Sequence, residues 1–83
     1  MSPDDVVGQA ADKGTRISVN ILDDLIVIEG ESEALLMLSD LLAAHARGKD
    51  CGFQISPAGA GSALFTDKST HGLYLHRTGA CSH

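Results

Sequence analysis

Four histidines, two cysteines and one glycine-rich loop are the groups in this 83-residue chain with the elements of site chemistry. Zinc is held by tightly spaced Cys or His pairs on structured elements. His71 and His76 are five residues apart, so an extended strand turns them to opposite faces. Cys81 and His83 sit among the last residues of the chain. A nucleophile built from Cys51 with His76, or from Ser62 with His71, needs the pair to meet and a third group to orient the base. The spacing supplies neither. Cys51 alternates with Phe53 and Ile55, the setting of an inert buried thiol. The loop from Gly59 to Ser62 lacks a following Gly-Lys-Ser/Thr and leads towards a strand, so a phosphate cradle is not expected. His45 falls on the apolar face of a helix near its C-terminus, a sheltered place where its ring complements the helix dipole. The expectation is a non-enzyme with no catalytic residue, no metal and no cofactor.

Charge is more informative. The net value is −5, and it is uneven along the chain. Residues 1–45 hold nine acids against Lys13 and Arg16, whereas residues 46–83 hold Asp50 and Asp67 against four basic side chains. The first part therefore carries −7 and the second +2. Nucleic-acid binding is disfavoured, because neutralising phosphates requires a basic face. An acidic face instead steers a basic protein towards it. The candidate binding acids are Asp23, Asp24, Glu29, Glu31 and Glu33. They lack the spaced oxygen ligands of a calcium loop, and solvated acids that keep a small domain soluble are the alternative.

These acids are carried by a hairpin that runs straight into a helix. Ile17, Val19 and Ile21 alternate with polar residues, Asp23 and Asp24 offer turn chemistry, and residues 25–29 return. With the turn at Asp23-Asp24, Leu22 faces Leu25, Ile21 faces Ile26 and Val19 faces Ile28. Ile17, Val19, Ile21, Ile26 and Ile28 then share one apolar face. Residues 32–47 have helical periodicity, with Ser32 as the expected N-cap and Gly48 in the left-handed terminal position. Ala34, Leu35, Leu38, Leu41, Leu42 and His45 share a face. Leu36 lies opposite and Met37 on a flank, which makes them a candidate self-association surface. Residues 51–56 alternate again as a strand, residues 57–62 read as a loop, residues 63–66 as a short strand or more loop, and residues 72–78 as a closing strand.

The expected fold is α+β: a small, mostly antiparallel sheet of four to five strands in ββαββ order, with one amphipathic helix on one face. Residues 1–14 are polar, with little periodicity, and are expected as a flexible arm. Residues 15–78 form one domain, and residues 79–83 a frayed tail. A domain of this size buries only roughly 60–65% of its unfolded surface. With no Trp, one Tyr and two Phe, its core must be aliphatic. No apolar run approaches the ~18 residues of a membrane span, and the first residues lack the features of a secretory signal. A cytoplasmic protein is expected; Cys51 and Cys81 permit one disulfide, but thiols there are usually kept reduced.

The strand ending in Glu29-Gly30, the Leu-rich helix after it, the segment from Phe53 to Pro57 and the closing run from Leu73 to Arg77 resemble a small bacterial family. Its members are immunity proteins found beside polymorphic toxins. The resemblance spans roughly residues 26–77 and rests mainly on fold-making residues. It implies neutralisation of a toxin by tight binding, with no catalytic residues. The expected function is therefore a non-enzymatic protein-binding module, an inhibitor of a basic toxin. A homodimeric structural or regulatory domain is the alternative.

Overall fold

The residues expected as a free arm fold into the first helix, α1, Pro3–Lys13. In the computed structural model, which describes residues 1–79, the Ser2 hydroxyl accepts the Asp5 N–H at 3.2 Å and the Asp5 carboxylate accepts the Ser2 N–H at 3.0 Å. This reciprocal cap satisfies two donors that the first turn would otherwise leave open, and Pro3 fits where no N–H is needed. Gly14, at φ 72°, closes the helix in the left-handed conformation. Pro3, Val6 and Ala10 turn inward and are buried. A short apolar stripe with good caps thus gives a docked helix where weak periodicity suggested none.

Strands β1 (Ser18–Leu22) and β2 (Leu25–Glu29) pair antiparallel in the expected register, with Val19 opposite Ile28, Ile21 opposite Ile26 and Leu22 opposite Leu25. Asp23 takes φ 56° at the turn. The outer edge of β1 is occupied by an irregular stretch of chain. Ile17 N–H donates to Leu64 O at 2.7 Å and Thr66 N–H to Ile17 O at 2.9 Å. The N–H groups of Thr70 and His71 both donate to Val19 O, at 3.0 and 3.2 Å. Leu64 ends a 3₁₀ turn, Ser62–Leu64, in the segment expected as a strand or loop.

Helix α2, Ser32–Arg47, buries Ala34, Met37, Leu41, Ala44 and His45. That stripe is rotated from the expected one because α1 packs beside α2 and brings Val6 and Ala10 next to Met37. Leu35 and Leu42 are left exposed. Both expected caps are corrected. Glu31, not Ser32, is the N-cap, and Gly48 has φ −81°, outside the left-handed region. The last carbonyls of α2 are met instead by Arg77, whose guanidinium donates to Ala46 O at 2.9 Å and to Gly48 O.

Strands β3 (Gly52–Ile55) and β4 (Leu73–His76) form a second antiparallel pair, with Phe53 opposite Leu75 and Ile55 opposite Leu73. The chain is α+β, but the described residues form two α-helices and two separate two-stranded sheets in place of one sheet and one helix. The segment spanning residues 64–71 takes the edge of β1 that a further strand would need, which keeps the hairpins apart. Ile17, Val19, Leu41 and Leu64 are the most deeply buried side chains, so the core joins β1, α2 and the 3₁₀ turn. Cys51 is disulfide-bonded, which corrects the expectation of a reduced, inert buried thiol. Apart from Gly79, the expected tail, with Cys81 and His83, lies outside the described residues. Among the described residues, no helix is long and apolar enough to cross a membrane.

Candidate functional site

The hairpin that carries the expected acids is only half covered. Near its base, β1 is packed: Ile17 and Val19 are buried. Beyond Val19, the chain that lines β1 turns away, and the tip stands in solvent. Ile21 and Ile26 on one face are 48% and 66% exposed, and Leu22 and Leu25 on the other are each 60% exposed. The apolar face expected as one patch is thus split into a buried half and an open half. The tip is apolar on both faces, which no single layer behind it could have covered.

The five candidate binding acids do not form one cluster. Asp23 and Asp24 are exposed at the hairpin tip, whereas Glu29, Glu31 and Glu33 are exposed around its base. A five-residue strand separates the two groups by roughly 15–20 Å. The base acids line an open cleft of about 510 Å³ with Lys13, Arg16 and Lys68. Three acids with three bases make this cleft mixed in charge, not an acidic face. Between Arg16 and Arg47 the sequence has no Lys or Arg, so neither strand of the hairpin brings a compensating charge to the tip pair. Leu36 and Met37 also part: Leu36 is 64% exposed beside the groove between the helices, and Met37 is in the core.

The histidines occupy three different settings. His71 Nδ1 lies 2.7 Å from Thr70 Oγ1, whose proton is donated to Asn20 Oδ1 at 3.0 Å. His71 must therefore donate to the Thr70 hydroxyl, the reverse of activating it as a nucleophile. His76 stacks on exposed Tyr74 with ring centroids 6.2 Å apart. His45 is buried beside Phe53, and neither ring nitrogen has a hydrogen-bond partner. Among the described residues, no group of three or more His, Cys, Asp or Glu side chains is placed to hold a metal ion.

Arg77 is the working residue that sequence reasoning missed. Its backbone N–H donates to Cys51 O at 2.7 Å while its side chain caps α2, so it ties the second hairpin to the helix end. A lone arginine after a strand gives no sign of this, because its targets lie about thirty residues earlier in the chain. The open apolar tip was readable residue by residue, but its exposure follows from where residues 64–71 stop. No protein-family model, curated protein or solved structure matches this chain.

Proposed function

We propose that the chain is a non-enzymatic protein-binding module, an immunity-type inhibitor whose hairpin engages a basic toxin. One observation carries the reading: Ile21, Leu22, Leu25 and Ile26 stand in water on both faces of a hairpin tipped by Asp23 and Asp24. Burying a Leu or Ile side chain is worth about 1.5–3 kcal/mol. Four such side chains left mostly outside the core forgo a large part of that stabilisation, and a covering protein restores it. The uncompensated tip acids favour a basic partner and accelerate its approach. Because the base acids share their cleft with Lys13, Arg16 and Lys68, the tip is the stronger electrostatic half. Self-association through Leu36 and Met37 is less favoured, since Met37 belongs to the core.

The test is a pull-down from the native host with tagged protein at low and high salt, read by mass spectrometry. Its control is the double variant Asp23→Lys, Asp24→Lys. One stoichiometric basic protein, released by salt, lost with the double variant and toxic when expressed alone, supports inhibition. Retention of no basic protein, or equal retention by the variant, overturns it.

A further inference from the structure

Among the described residues, nothing pairs with the outer edge of β2, Leu25 to Glu29. We infer that this edge pairs antiparallel with the β2 strand of a second copy of the chain, making a continuous four-stranded sheet about a two-fold axis at Val27. Proteins usually blunt such edges with Lys, Pro, a bulge or a covering loop. β2 reads Leu-Ile-Val-Ile-Glu and has none of these within it.

The backbone has the correct parity for the pairing. On β1, the peptide groups of Ile17 and Val19 point away from β2, because they bond Leu64, Thr66, Thr70 and His71. In an antiparallel pair, outward-pointing groups alternate along both strands and face each other in register. Ile28, opposite Val19, and Ile26, opposite Ile21, therefore turn their N–H and C=O outward on β2. A two-fold axis at Val27 sets Ile26 against Ile28 of the second copy, so these groups meet. Side-chain period two is preserved across the axis, and the face bearing Val19, Ile21, Ile26 and Ile28 continues into its copy.

Edge pairing buries side chains next to the seam: Leu25 and Ile26 on the pairing strand are 60% and 66% exposed, and half-buried Val27 lies on the axis. Ile21 and Leu22, one strand further out, stay open to a basic partner.

The same register has an electrostatic consequence. It sets Leu25 against Glu29, Asp24 against Gly30 and Asp23 against Glu31 of the second copy. The tip acids and base acids, far apart in one chain, are brought together at each end of the joint sheet. This deepens the proposed function and rests on it in one respect: the merged acids are the surface a basic protein would meet. Facing acids oppose pairing at low salt, so added salt tightens the dimer and loosens the complex with a basic partner. Bound basic partner and dimer formation support each other by linkage.

Sedimentation equilibrium of the purified chain tests the pairing. The expected mass is twice 8.6 kDa, with a dimer tightened about threefold by raising NaCl from 0.05 to 0.5 M. Val27→Lys, which sets two ammonium groups side by side on the axis, weakens the dimer by about tenfold or more. Asp23→Asn, which removes facing charge and leaves the edge intact, strengthens it. Far-UV circular dichroism verifies that both variants fold. A mass of 8.6 kDa at every concentration and salt, or a dimer indifferent to Val27→Lys, overturns the pairing. A basic partner held by a chain that stays monomeric sinks the pairing and leaves the inhibitor reading standing. A dimer that follows the Val27 and Asp23 variants but retains no basic protein supports the pairing and sinks the inhibitor reading.

Discussion

The two hairpins are made of similar material, yet the fold treats them differently. β3 and β4 are joined by a long connection, residues 56–72, and that connection folds back over the base of the first hairpin. β1 and β2 are joined by two residues, which leave no chain to spare. Phe53, Leu73 and Leu75 in the second hairpin rest against the core, and Ile55 belongs to it. Ile21 and Ile26 in the first are not among the described side chains that pack against the core. A tight turn fixes register economically, but cover has to come from elsewhere. Here residues 64–71 cover β1 as far as Val19, and the remainder stays exposed.

The largest test of this contrast pairs two isoleucines in the same hairpin. Ile17→Ala, at a fully buried position, is expected to lower stability by about 3 kcal/mol. Ile26→Ala, at a position two-thirds exposed, is expected to change monomer stability by less than about 1 kcal/mol. Urea titrations at a concentration low enough to exclude association measure both. Equal losses would mean that the tip is held within the monomer and the contrast is wrong.

The second hairpin depends on its tie to α2. Arg77→Ala removes the donors to Ala46 O and Gly48 O, and about 2 kcal/mol is expected to go with them. Arg77→Lys should recover only part of this, because an ammonium group lacks the planar fork. Hydrogen exchange should quicken first in the last turn of α2. If it quickens only in β4, the arginine holds the strand and not the helix.

What the sequence makes legible follows from how local the deciding force is. The β1–β2 register depends on period-two patterning and a two-residue turn, both local, and Ile21 does face Ile26. Helix α2 depends on a 3.6-residue period and is equally plain, but its buried side is not. Leu35, Leu38 and Leu42 make one credible stripe and Met37, Leu41 and Ala44 another, and α1 decides between them. That helix was itself hidden, because Gly8 interrupts a short sequence that buries only small or lone apolar groups, Pro3, Val6 and Ala10. The split into two sheets is set by backbone bonds from residues 64–71 to Ile17 and Val19. Such bonds leave no mark on side-chain patterning. The five acids were legible as a set, but their separation depended on the length of the hairpin between them.

His45 sharpens the comparison from the core side. A buried imidazole with no partner at either nitrogen costs desolvation without return, whereas an apolar side chain of similar volume does not. His45→Leu is expected to stabilise the chain by about 1 kcal/mol, read as a raised urea midpoint with an unchanged slope. Destabilisation would mean that the ring makes a polar interaction on which the core depends.

The smallest effect concerns α1, which covers one side of α2 and leaves the Leu35–Leu42 side open. The Ser2 backbone N–H first, and its hydroxyl second, hold the Asp5 carboxyl below the usual carboxylate range. A carboxylate with a lowered folded-state pKa stabilises the fold fully above its ordinary value, and the stabilisation is lost as pH falls through the lowered one. Acidification below about pH 4 should therefore loosen the first turn of α1, and the small size follows from the full exposure of Asp5. Amide exchange at Val6 and Val7 across that range, compared with Asp5→Asn, measures it. The variant should lack this component of acid sensitivity. If wild type and variant respond alike, another group governs the response of α1, and the cap contributes through geometry rather than charge.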